Sequence, residues 1–248
     1  MDVIMMRLDR ILTEMGAGSR QEVKKLIRKG HVSVDGEVIK KPEAKVEEKT
    51  ARIRCLDISY WYEPYVYYML HKPAGVVSAT EDPKERTVLD LMENPVRKDI
   101  FPVGRLDKDT EGLLLLTNDG ELAHRLLSPK KHVDKTYEAV ISGIVTEEDV
   151  DAFASGVDIG DDTMTLPAKL EIGKTDPDQN YSEISITIQE GRYHQIKRMF
   201  EAVGKRVVYL KRIRMGSLML DPTLPKGASR RLTEEEIDAL KQVWTKED

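Results

Sequence analysis

The sequence predicts an α+β protein in which a small N-terminal domain precedes a larger, mixed and mostly antiparallel one. Three observations carry this. Helical and strand patterns alternate irregularly, without the repeat of a wound β-α-β sheet. A length of 248 residues exceeds one ordinary domain and suits a small plus a large one. A charged, weakly periodic stretch separates the opening segment from the rest. The expected boundaries are 1–48, a linker over 49–64, and 65–248.

In order along the chain, Arg7-Leu8-Asp9-Arg10-Ile11-Leu12 starts a short helix that ends near Gly16 and Gly18. Ser19-Arg20-Gln21-Glu22 reads as a capping box for a second helix, with Val23, Leu26 and Ile27 on one face and Gly30 as its stop. The polar face of that helix offers Arg20, Lys24, Arg28 and Lys29. His31 to Val38 alternates around Asp35-Gly36, a two-residue hairpin signal. Lys40 to Thr50 is charged and broken by Pro42, which suggests linker, and Tyr60 to Pro64 marks the boundary. Strands are predicted at Tyr65 to Leu70, Gly112 to Thr117, Thr136 to Ile141, Ile184 to Ile188 and Val207 to Ile213. Helices are predicted at Glu121 to Leu127, after Thr146, at His194 to Val203, and after a second capping box at Thr233 to Glu236.

Composition narrows the chemistry. With 40% apolar and 33% charged residues the chain reads as a folded, cytoplasmic protein. No apolar run approaches the roughly 20 residues of a membrane span, and Val3 to Met6 is too short for a signal-peptide core. A single cysteine, Cys55, excludes an intrachain disulfide and thiolate zinc cages, and the five histidines lack metal-ligand spacing. Neither a metal nor another cofactor is expected, and nothing demands more than a monomer. The net charge of −5 conceals segregation: Arg192 to Arg214 holds eight cations against one anion, and Val145 to Glu190 holds twelve acids against two lysines. The basic stretch suits a polyanion, although a merely solvated helix face would have the same composition.

The densest chemical cluster is Gly104-Arg105-Leu106-Asp107-Lys108-Asp109-Thr110-Glu111-Gly112, which runs into four leucines. Polar turn residues entering a buried strand place carboxylates at that strand's edge, where they can face a cleft. Three readings stand side by side. One is a solvated acidic turn. A second is a calcium loop, which fails at its twelfth position, where Asn118 replaces a bidentate Glu. The third is a nucleophilic aspartate, since a carboxylate can form a covalent intermediate without a cofactor.

Arg105-Leu106-Asp107-x-x-Thr110-x-Gly112-Leu113-Leu114 resembles the catalytic motif of the pseudouridine synthases. His71-Lys72-Pro73-x-Gly75, Lys135-Thr136-Tyr137-Glu138 and Glu190 to Met199 resemble three further motifs of that family, in the family's order. Residues 4–48 resemble the alpha-L RNA-binding domain. Thr117 to Arg125 and Ser128 to Tyr137 are closer to the small-subunit (RsuA-like) branch than to the large-subunit one. The resemblance implies isomerisation of a uridine in ribosomal RNA, most simply small-subunit rRNA. The alternatives are a large-subunit rRNA enzyme and a non-catalytic RNA-binding or ribosome-assembly protein.

It also implies roles. Asp107 is the nucleophile, acting on the sugar directly or through a glycal. Lys197 is the cation that keeps it ionised against burial; read alone, it is a solvated lysine on a helix whose apolar face is Ile196, Met199, Phe200 and Val203. Tyr137 stacks on the extruded uracil; read alone, it is equally a core strand tyrosine. Arg105 contacts RNA at the vacated position, or pairs with a nearby acid. Arg192, His194, Gln195 and Arg198 border the site, Arg206 to Arg214 extend a phosphate-binding surface, and Arg7, Arg10, Arg20, Lys24, Arg28 and Lys29 bind RNA from the N-terminal domain. Single-stranded or bulged uridines are the expected targets.

Overall fold

The computed structural model describes residues 4–93 and 97–242 in two compact units: the chain up to Val66 together with Glu93–Ile100, and Tyr67–Met92 together with residues from Phe101 onward. The architecture is the α+β type that the sequence predicts. Among the described residues no helix is long and apolar enough to cross a membrane.

In the first unit, β1 (Met5–Arg7) leads into α1 (Leu8–Glu14), followed by α2 (Arg20–Arg28), β2 (Val32–Val34), β3 (Glu37–Val38), β4 (Lys45–Glu47), β5 (Ile53–Cys55) and β6 (Ile58–Tyr60). Ser19 and Glu22 close the capping box of α2, the Ser19 amide donating to Glu22 Oε2 at 2.8 Å. Asp35 and Gly36 both take positive φ at the hairpin tip, as a primed turn requires. Leu8, Ile11, Leu12, Val23, Ile27, Val32 and Ile53 form the core. The expected linker at 49–64 is corrected here: β5 and β6 extend the hairpin into an antiparallel sheet of order β3-β2-β5-β6. Ile53 and Cys55 are buried with Arg54 exposed between them, an alternation too short to stand out in the sequence.

This unit also recruits a segment distant in sequence. Arg97, 3% exposed, grips Asp99 through Nε and Nη2 at 2.8 and 2.6 Å, Glu14 Oε2 through Nη2 at 3.1 Å, and the Glu63 carbonyl at 3.1 Å. Tyr62 donates to the same Glu14 oxygen at 2.8 Å. Removing the guanidinium leaves Glu14 and Asp99 without their shared cation. Arg97→Met is expected to cost this unit about 2–3 kcal/mol, read as lost hydrogen-exchange protection in α1 and α2 with the second unit unaffected; equal loss in both units would contradict this.

The second unit comprises β7 (Tyr67–Lys72), β8 (Phe101–Pro102), β9 (Glu111–Thr117), α3 (Gly120–Leu127), β10 (Lys135–Ser142), α4 (Glu147–Ser155), β11 (Lys169–Asp176), β12 (Tyr181–Ile188), α5 (Gln195–Ala202), β13 (Arg206–Met215), β14 (Leu218–Met219), β15 (Ser229–Arg231) and α6 (Glu234–Gln242). Its sheet runs β11-β12-β10-β13-β9-β7-β15, with β14 on β13 and β8 on β9, and every pairing is antiparallel except β13 with β9. Leu113 to Leu116 are fully buried in the sheet's interior, which explains an uninterrupted apolar run where a one-sided strand would alternate. The parallel contact falls at Glu111 and Gly112. A Cβ on Gly112 would lie 2.2 Å from the Arg212 carbonyl oxygen, and its φ is +105°, so only glycine lets β13 approach where β9 begins.

Candidate active site

Asp107 occupies the loop between β8 and β9, and the first motif of the second unit holds that loop by its backbone. Lys72 is fully buried at the end of β7, and its ammonium donates to four carbonyls: Pro73 at 3.1 Å, Asp107 at 3.0 Å, Lys108 at 3.3 Å and Thr110 at 2.8 Å. The Gly75 amide donates to Lys108 O at 2.7 Å, and Ser78 Oγ both donates to the Leu106 carbonyl and accepts from the Leu106 amide. Burial pulls the Lys72 ammonium down to about 8, despite the opposing pull of Asp109, Asp107 and Glu111. Lysine is rarely this deep, and for that reason Lys72, although placed in a family motif, drew no role from the sequence. The neighbouring Pro73 and Gly75 were the available signal.

The Asp107 carboxylate is about one-quarter exposed and faces two residues from the start of α5. Lys197 Nζ lies 3.3 Å from Oδ2, and His194 Nε2 lies 3.5 Å from Oδ1. Lys197 is closer still to Asp109, at 2.6 and 2.9 Å from its two oxygens. Burial lowers the Lys197 ammonium, but the Asp109 hydrogen bond and the charges of both aspartates outweigh it and hold the group above its ordinary value. Asp109 is raised by burial and lowered more by Lys197, so it stays ionised. Lys197 is therefore a shared cation, charged at any physiological pH, with Asp107 its longer contact.

Arg105, Leu106, Asp107, Tyr137, His194 and Lys197 line one open cleft, with the Ile188 and Leu210 side chains as apolar wall. Tyr137 is 7% exposed on β10, opposite Ile186 on β12 and Arg212 on β13. Arg105 is exposed at the cleft's border. The structure thus brings together six of the sequence-derived candidates around Asp107: Arg105, Tyr137, Arg192, His194, Gln195 and Lys197.

Some of these candidates, and Arg198 beside them, are also tied to other parts of the protein. Gln195 is 4% exposed, its amide donating to Glu190 Oε1 at 2.9 Å and its carbonyl accepting from the Arg192 amide at 2.9 Å. Arg192 donates to Glu190 Oε2 and to the Thr163 and Met164 carbonyls. Arg198 donates to Asp161 and to the Ile159 carbonyl. Arg192 and Arg198 tie the loop between α4 and β11 to the start of α5 and Gln195 holds Glu190, so their donors are engaged within the protein. In the expected phosphate surface, Arg212 is buried with Nε on the Leu113 carbonyl, while Arg206 and Arg214 are exposed. The sign of a charge is legible in sequence; its direction is not. In the first unit, Arg7 pairs with Asp9 and Arg10 with Glu14, Arg20, Arg28 and Lys29 lie exposed on α2, and Lys24 is half-buried.

The calcium reading fails on the same geometry. Asp109 is held by Lys197, and Glu111 by Tyr209 at 2.7 Å and Lys226 at 2.6 Å. Among the described residues no three acidic, histidine or cysteine side chains group as a cage would require.

The RNA pseudouridylate synthase family profile matches residues 66–202, over half of the chain, and the S4 domain profile matches residues 6–51. The chain belongs to the RNA pseudouridylate synthase family. An uncharacterised RNA pseudouridine synthase of Bacillus subtilis is 49% identical over 96% of this chain and 99% of its own length. The ribosomal small subunit pseudouridine synthase A of Pseudomonas aeruginosa is 44% identical over 94% and 99%, and that of Escherichia coli K12 is 40% identical over 94% and 98%. A solved pseudouridylate synthase superposes with a TM-score of 0.65 at 38% identity, covering 95% of this chain and 99% of that one. As a pseudouridine synthase the chain carries its RNA-binding S4 domain ahead of the synthase domain, and the S4 match stops short of Val66, where the first stretch of the first unit ends.

Proposed function

We propose that this synthase converts one uridine of small-subunit ribosomal RNA to pseudouridine in the cytoplasm, as a monomer without a cofactor, with Asp107 as the nucleophile. The observation that carries the reading is the carboxylate of Asp107 in a cleft with Tyr137, His194 and Lys197. The small-subunit target follows the names of relatives at 40–44% identity.

The chemistry needs the bond from ribose C1′ to N1 of uracil broken and one from C1′ to C5 made, with the C5 proton lost to solvent. Asp107 either attacks C1′ or removes a ribose proton to open a glycal route, and both need the ionised carboxylate that a permanently charged Lys197 favours. The freed uracil turns while stacked against the ring of Tyr137, and stacking worth about 1–3 kcal/mol offsets much of the few kcal/mol of base extrusion. Arg105 enters the place the base has left. The exposed cations of α2 add phosphate contacts, so RNA affinity falls steeply with salt.

Loss of the C5 proton gives the test. Small-subunit rRNA tritiated at uridine C5 releases label to water when incubated with the wild type; absence of release from naked and ribosome-bound RNA alike refutes the reading. Lys197→Met is expected to lower kcat about 100-fold with KM changed little, by leaving two neighbouring carboxylates to repel each other. Lys197→Arg, which keeps the charge, should recover part of that loss. A large rise in KM with unchanged kcat would make Lys197 a phosphate contact instead.

A further inference from the structure

Tyr193 is 75% exposed, and its ring lies flat on that of His194, with centroids 3.9 Å apart and planes 16° from parallel. An isolated exposed aromatic is ordinary; this one belongs to a built arrangement. His194 takes a left-handed backbone, φ 50° and ψ 32°, which histidine adopts uncommonly. Its Nε2 edge is directed toward Asp107 at 3.5 Å, so one ring of the pair reaches the cleft. The Tyr193 carbonyl accepts from Arg198 Nη1 at 3.2 Å, which fixes the backbone beneath the pair. One face of the Tyr193 ring is covered by His194, and the ring remains open on the other.

We propose that Tyr193, backed by His194, is a stacking platform for the nucleobase next to the target uridine on the RNA strand. This rests on the synthase reading above and adds a second base subsite to the one at Tyr137. Swinging a uridine out of its stack strips a stacking partner from each neighbouring base. A flat ring preset at the cleft's border returns one. The occupant is a base because the exposed surface is a π-face, which every base can cover, while the charged donors of Arg192 and Arg198 are engaged with Glu190, Asp161 and backbone carbonyls. Tyrosine suits the task because only two side-chain torsions need ordering.

The test is tritium release from a small-subunit rRNA fragment that carries the modified uridine, measured for wild type, Tyr193→Ala, Tyr193→Phe and Tyr193→Trp. Tyr193→Ala is expected to raise KM about tenfold and leave kcat little changed, and the Phe and Trp variants should behave like wild type. Two further RNAs carry a base-less ribose immediately 5′ or 3′ of the target. One of them should raise the wild-type KM by a similar factor and make Tyr193→Ala cost nothing more, because the stacking partner is already gone. An unchanged KM in Tyr193→Ala, a fall in kcat alone, or a penalty that persists on both base-less RNAs overturns the platform while the synthase reading stands. A wild type that releases no label from any RNA defeats the synthase reading first, and the platform with it.

Discussion

Asp107→Asn is expected to reduce single-turnover label release by at least about 10⁴-fold, the scale on which removal of a nucleophile is felt. The substitution is nearly isosteric, and the loop around it is held through backbone groups by Lys72, Gly75 and Ser78, so the fold should remain. RNA affinity should change only a few-fold, because an amide removes a charge that repels phosphate and adds no steric bulk. The contrast with Asp109→Asn sharpens this. Asp109 is the nearer partner of Lys197 yet is mostly exposed, with its side chain 72% accessible. Its loss frees Lys197 to close on Asp107, 3.3 Å away, and turnover should fall only modestly. Filter binding and label release on the same preparations separate the two effects. Asp107→Asn turning over within tenfold of wild type would remove the nucleophile from this residue, and equal losses for both aspartates would move the chemistry to the pair.

Much of this geometry was legible because particular residues carry demands that little else satisfies. Ser19 with Glu22, and Thr233 with Glu236, each close a capping box in the structure, because the partner three residues on is the one that reaches the orphan amides. Asp35-Gly36 turns the hairpin because two adjacent positive φ angles suit few other pairs. Gly112 marks the start of β9 because only a missing Cβ admits the Arg212 carbonyl. What stayed hidden was long-range. Strands of three residues, such as β5 and β6, carry too few positions for a period to register. Nothing local in Arg97 says that its partners are Glu14 and the Glu63 carbonyl, 83 and 34 residues away in sequence. Arg192, Gln195 and Arg198 stand in a motif read for RNA, yet their donors meet carbonyls and carboxylates of the protein, since a guanidinium or amide N–H can donate to a protein oxygen as well as to a phosphate one.

Lys72→Met is expected to cost the second unit about 3–5 kcal/mol and to lower kcat about 100-fold. Methionine fills much the same volume, so the loss is one of donors. Asp107 O retains its bond from the Thr110 amide and Lys108 O its bond from the Gly75 amide, whereas Pro73 O and Thr110 O lose the ammonium altogether. The backbone that aims the carboxylate is then free to shift, and a misplacement of about 1 Å is enough for the kinetic effect. The pH dependence identifies the cause. Lys72 titrates at about 8 in the fold against 10.5 in the open chain, so between those values the unfolded state binds more protons than the folded one. Stability contributed by this group therefore rises from about pH 8 toward 10.5. Lys135, also pulled to about 8 by burial and by Arg212, acts in the same sense in both proteins and cancels in the comparison. The stability gap between wild type and Lys72→Met should thus widen above pH 8. Over the same range wild-type kcat should decline, since a neutral amine has two protons for four carbonyls, and the variant should lack that decline. Parallel pH profiles of kcat for the two proteins would show that the Lys72 ammonium does not hold the loop.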